Sequence, residues 1–230
     1  MYVELIWSDF KISVEEDLFL TAKMARKLKV PAQNINGLRF LRRSLDARKK
    51  PQLFYVYSIK FSLDMPGSEI NRMLARVPGL KEAPVEAPVL WTKPSRKLSH
   101  RPIVIGAGPA GYFAALTLAR RGYFPLVLER GDSVEERTRN IQKFWEKGAL
   151  DPESNVQFGE GGAGTFSDGK LTTRIQDRRI SEVLETFVKH GAPGEIQFLA
   201  KPHIGTDILK DVIKGLRQEI IALGGEVRFR

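Results

Sequence analysis

Between Leu53 and Leu63 every second position is apolar (Leu53, Tyr55, Tyr57, Ile59, Phe61 and Leu63), the period of a strand with one face buried. Residues 2–7 and 38–41 predict two more strands. Between them Ser13 and Glu16 form a capping-box pattern, and Leu18, Leu20, Ala22, Met24, Ala25 and Leu28 supply an apolar helical face before Pro31 ends the run. Pro66 and Gly67 turn the chain, Ser68 is placed to cap a short helix through Val77, and residues 85–90 offer a last strand. The order strand, helix, strand, strand, helix, strand predicts a small α+β domain of ferredoxin-like type over residues 1–88.

Residues 82–102 hold four prolines and no helical period, which places a linker at 89–101. From Ile103 the pattern becomes α/β. Residues 103–105 and 125–128 read as strands on either side of an apolar helix, Ser133 and Glu136 form a second capping box opening a helix to Lys147, and a helix is expected near 179–190. Gly205-Thr206-Asp207 leads into a helix stopped by Gly224-Gly225, and residues 226–229 close with a strand. Residues 102–230 therefore read as the N-terminal part of a Rossmann-type α/β nucleotide-binding domain.

The first of these strands runs directly into Gly106-Ala107-Gly108-Pro109-Ala110-Gly111, and the second ends in Glu129, 18 residues after Gly111. In this dinucleotide-binding fingerprint the first glycine makes a tight turn, the second admits a pyrophosphate against the backbone, and the third lets helix and strand pack closely. The phosphates lie at the positive end of the helix. A carboxylate at Glu129 accepts hydrogen bonds from ribose hydroxyls and disfavours a 2'-phosphate. A second stretch, residues 157–171, places five glycines within residues 159–169, which suits backbone lying against something flat or anionic. Phe158 and Phe166 argue that this loop is packed.

The absence of cysteine excludes disulfides, thiolate metal sites, iron–sulfur ligation and a redox dithiol within these residues. His100, His190 and His203 are scattered, so no metal site is expected. Acids at Glu4 and Asp9 stand where a signal peptide requires a basic start, which predicts a cytoplasmic protein. The uncharged span 102–119 is no membrane helix, because glycines and prolines crowd its first half. Residues 1–100 carry 18 Lys and Arg against 10 Asp and Glu, and the remainder 19 against 17. The excess is thus +8 in the leading part and +2 after it. Arg42, Arg43, Arg48, Lys49 and Lys50 lie between two strand candidates. A solvated hairpin or a contact to the following domain is the plainer reading; a nucleic-acid contact is the lesser one, since base-stacking spacing is lacking.

The phrases Gly106–Gly111 with Leu128-Glu129-Arg130-Gly131, residues 155–171 and residues 201–207 resemble the poorly characterised FAD-dependent dehydrogenases of the glutathione-reductase-like flavoprotein superfamily. The leading domain, with residues 42–50, also resembles theirs. The resemblance implies an FAD-dependent oxidoreductase of unidentified substrate, with hydride transfer through the flavin and NAD(P)H as a candidate reductant. It places FAD at Gly106, Gly108, Pro109, Ala110 and Gly111, Glu129 on the adenosine ribose, and Arg130 near the adenine or phosphates. Gly161, Gly162, Ala163, Gly164 and Thr165 would meet the flavin ring or pyrophosphate, and Val227 would offer a backbone contact to adenine. Lys201 and His203 are candidates to face a substrate, although such residues more often pack a loop. Asp168 and Lys170 form a candidate ion pair. Family members are longer, and three strands leave one flank of the first as an unpaired apolar edge. The expectation is a chain holding the N-terminal portion, which by itself binds FAD weakly or not at all and turns over nothing. Two rivals remain: a flavoprotein acting on RNA through its basic domain, and a non-catalytic nucleotide-binding module.

Overall fold

The computed structural model describes residues 2–85, 98–167, 169–173, 175, 177 and 179–230. The chain forms two compact units, residues 1–88 with 197–201, and residues 89–196 with 202–230. It mixes an antiparallel four-stranded sheet with a parallel three-stranded one.

The first unit runs β1 (Tyr2–Ser13), α1 (Leu20–Leu28), β2 (Ile35–Lys49), β3 (Gln52–Asp64), α2 (Gly67–Arg76) and β4 (Leu80–Glu82). Its sheet order is β2-β3-β1-β4, antiparallel throughout. Alternation in β3 buries Tyr57, Ile59, Phe61 and Leu63, which meet Leu20, Met24 and Leu28 of α1 and Ile70 and Met73 of α2 in one core. Each such side chain contributes about 1.5–3 kcal/mol on burial.

Strand β1 extends well past Trp7. A bulge at Ser8 and Asp9, with Asp9 at φ 58°, adds one residue, so Leu5, Trp7, Phe10 and Ile12 all reach the core although their alternation breaks. The Trp7 and Phe10 rings then pack edge-on at 4.7 Å. Three register shifts likewise carry β2 through the basic run, so Arg42, Arg43, Arg48 and Lys49 are strand residues and only Lys50 stands in the turn. Backbone bonds add the segment 197–201 beside β2. Arg43 N–H donates to Phe198 O (2.7 Å) and Ala200 N–H to Arg43 O (3.0 Å).

Four local expectations are corrected. Residues Val14–Phe19 form a 3-10 stretch, Ser13 makes no side-chain cap, and Leu18 and Ala22 face outward, Leu18 at 94% exposure. Lys29, left-handed at φ 62°, ends α1 before Pro31. The N-cap of α2 is Pro66, with Ser68 already inside the helix. The last strand is Leu80–Glu82 and Val85 lies outside it, while residues 86–90, and with them most of the linker, fall outside the described residues.

The second unit contains β5 (Ile103–Ile105), α3 (Pro109–Arg120), β6 (Leu126–Leu128), α4 (Val134–Lys147), α5 (Arg179–Lys189), α6 (Thr206–Ala222) and β7 (Glu226–Arg228). The parallel order is β5-β6-β7. Tyr112, Ala115 and Leu116 of α3 and Leu209, Val212, Ile213, Leu216 and Ile220 of α6 close over Val127 at the centre of β6. β5 ends the sheet, with Ile103 and Ile105 61% and 78% exposed. Among the described residues no helix is long and apolar enough to cross a membrane.

Candidate functional site

The turn from β5 into α3 is built from backbone. Gly106 sits at φ 93°, a conformation costly for a side-chain-bearing residue, and donates its N–H to Leu128 O at the end of β6 (2.7 Å). A Cβ on Gly111 would lie 1.9 Å from Gly106 O, so α3 reaches the strand only because this position carries none. Gly108 is the N-cap and makes no side-chain cap bond, while Pro109 at the first helical position has no N–H. The first turn of α3 therefore leaves backbone donors and the positive end of the helix uncapped by a side chain. A Cβ built on Gly108 meets nothing within 4 Å, which leaves open space directly over the turn.

Glu129 reaches this turn from the end of β6. Its carboxylate accepts from Ala107 N–H (2.6 Å) and Gly131 N–H (2.8 Å), which fixes it beside the glycines with lone pairs remaining. Arg130 takes a different course: it pairs with Glu153 (2.7 Å) and lies over the Phe158 ring at 5.3 Å, itself largely exposed. Val227 pairs with Val127 in the sheet.

The second glycine loop packs onto the first. Gly161 N–H donates to Ala107 O (2.8 Å), and a Cβ on Gly162 would stand 3.2 Å from Pro109 Cδ and 3.8 Å from Gly108 Cα. Residues Ala163–Phe166 follow as a 3-10 turn in which Thr165 is buried and its Oγ1 has no partner among the described residues. Phe158 is 45% exposed, contrary to the expectation that it is packed.

Side chains absent from the sequence reading hold this loop. Arg137 of α4, fully buried, donates to the carbonyls of Asn155 (2.7 Å), Val156 (3.0 Å), Glu160 (2.6 Å) and Gly162 (2.8 Å). Burial lowers its pKa to about 10, and it stays a cation near neutral pH. Glu160, also fully buried, accepts from the Tyr112 hydroxyl, from Val134 N–H at the start of α4 (2.6 Å) and from Arg217 of α6 (3.0 Å). Burial holds its carboxyl above the usual range, against the pull of the Tyr112 and Val134 donors. The Tyr112 hydroxyl is pushed far up by burial and by the facing carboxylate. Two clues were in the sequence: Arg137 falls in register with Val134 and Ile141 on the buried face of α4, and Glu160 is the lone acid among the glycines 159–164.

The two residues considered for catalysis fall in different compact units. Lys201 is exposed in the segment belonging to the first unit. His203, exposed in the second, forms a backbone bridge with Lys170, flanked by Leu171 N–H to Pro202 O and Ile204 N–H to Gly169 O (both 2.9 Å). The expected Asp168–Lys170 pair lies outside the described residues through Asp168.

Residues 6–62, within the first unit, match a family model described as a domain of unknown function (DUF8436). Over 225 residues the chain is 46% identical to an uncharacterized protein of Clostridium beijerinckii, an alignment taking in 96% of this chain and 42% of the relative. The chain thus spans less than half the length of the curated relative it matches.

Proposed function

We propose that this chain carries the dinucleotide-binding turn of an FAD-dependent oxidoreductase whose substrate is unidentified. The observation that carries the reading is the open, uncapped N-terminus of α3 over Gly108, with the Glu129 carboxylate fixed beside it. The parallel order β5-β6-β7 with a glycine turn after β5 supports a Rossmann-type second unit. The order β2-β3-β1-β4, with one helix after β1 and one after β3, supports a ferredoxin-like first unit.

The residues fit the adenine-nucleotide half of FAD. Backbone N–H groups and the helix dipole at Gly108–Gly111 would hold the pyrophosphate, an interaction contributing about 0.3–2 kcal/mol from the dipole alone. Glu129 would accept the ribose hydroxyls with its remaining lone pairs. Gly162 stands on the loop that packs against Gly108 and Pro109 and would lie beside the same phosphates. When bound, the flavin supplies electron and hydride transfer. Arg137 and Glu160 position the loop and make no contact with the cofactor in this account.

The experiment is to titrate the chain with FAD, following flavin fluorescence, and then to add NADH or NADPH anaerobically and follow bleaching of the flavin band. Binding displaced by ADP, followed by bleaching, supports the reading. Binding without bleaching by reductants including dithionite-free NAD(P)H favours the non-catalytic module, and no binding at all overturns the proposal.

A further inference from the structure

We infer, resting on the nucleotide reading of the glycine turn, that Phe158 and Arg130 form a stacking platform that selects ligands carrying a base. Both residues stand beside Glu129, the carboxylate placed for the ribose. Arg130 follows it directly in the chain. Gly131, whose N–H donates to the same carboxylate (2.8 Å), is pressed against the loop that carries Phe158: a Cβ on Gly131 would lie 2.5 Å from Gly159 Cα and 2.7 Å from Glu153 O. In a nucleotide the base is carried on the ribose carbon next to the 2'-hydroxyl, so a ribose held by Glu129 delivers its base beside this loop.

The loop holds Phe158 firmly without burying it. Asn155 N–H donates to Phe158 O (3.0 Å), and the Asn155 side-chain oxygen accepts from Gln157 N–H (2.9 Å) and Phe158 N–H (3.3 Å). The Asn155 amide is itself tied down, donating to Asp151 O (2.8 Å). Gly159 follows at φ 112°, where a Cβ would meet Arg137 Cδ at 2.8 Å, so the turn is closed on its inner side. Phe158 nevertheless stays 45% exposed, whereas Phe187 of the same unit, which packs in the core, is 7% exposed. The Arg130 guanidinium, paired with Glu153 (2.7 Å), lies over the Phe158 ring at 5.3 Å and is also open to solvent.

An aromatic ring and a guanidinium plane each take a base by stacking, and the pair offers both side by side. Glu153 offsets the guanidinium charge on the spot, so the platform acts on the base and leaves the phosphates to the backbone of the turn. Phe158 lies outside the glycine fingerprint, and its part in binding comes from the fold of a separate loop.

The test is calorimetric titration with ADP and with inorganic pyrophosphate, which carries no base. Phe158→Leu, close in size but without a π-face, is expected to weaken ADP about tenfold and to leave pyrophosphate within about twofold. Its melting temperature should stay almost unchanged, since the side chain is exposed. Phe158→Trp is expected to restore ADP affinity to within about twofold of the native chain. ADP binding undiminished in Phe158→Leu, equal losses for ADP and pyrophosphate, or failure of Phe158→Trp to restore affinity would overturn the platform while leaving the nucleotide turn standing. A native chain that binds neither ADP nor FAD would overturn both.

Discussion

Two glycine-rich loops meet at the N-terminal end of α3, and they are held in opposite ways. The turn 106–111 is fixed by close backbone approach, with Gly111 against the Gly106 carbonyl and Gly106 bonded to the end of β6. The loop 159–165 hangs on polar and charged side chains contributed by α3, α4 and α6, chiefly Arg137 and the Tyr112 and Arg217 donors to Glu160. The first tolerates no added atom at Gly111. The second tolerates no missing charge behind it.

The sharpest way to break this contrast is Arg137→Met, which leaves several loop carbonyls buried without a donor. It is expected to cost about 3–5 kcal/mol in urea denaturation. Gly111→Ala should cost less, about 1–3 kcal/mol, as α3 shifts off the strand. A larger loss from Gly111→Ala than from Arg137→Met would reverse the ranking on which the contrast rests.

Glu160 adds a pH signature. Its folded-state pKa is raised by burial, so its contribution is fully present below the ordinary carboxylate value and is lost as pH rises through its own higher value. Denaturation midpoints measured over that window should fall with rising pH in the native protein, and Glu160→Gln should flatten the fall. The smallest expected stability effect is Ser133→Ala. It removes the cap whose hydroxyl accepts from Glu136 N–H (3.4 Å) and should lower stability by about 0.5–1 kcal/mol by thermal melting.

What was legible in the sequence follows the same division. The glycine turn, Glu129 and the alternation of β3 are written in neighbouring residues, and the folded chain keeps their spacing. Where a bulge shifts the phase, as at Asp9 in β1 or along β2, alternation hides the strand and a basic run looks like a loop. Arg137 escaped because its partners are loop carbonyls, and Glu160 because its partners come from three separate helices; both sets meet only after folding. Lys201 and His203, neighbours in the sequence, fall in different compact units.

The most direct measurement compares native chain and Gly108→Ala by calorimetric titration with FAD and with ADP. An alanine at Gly108, whose backbone is extended at φ −73°, touches nothing in the folded chain yet fills the space over the helix terminus. Both ligands should bind the native chain and lose at least tenfold in affinity to the variant, about 1.4 kcal/mol, with its melting temperature almost unchanged. Undiminished binding to Gly108→Ala, or no binding of either ligand to the native chain, would contradict a dinucleotide site at this turn.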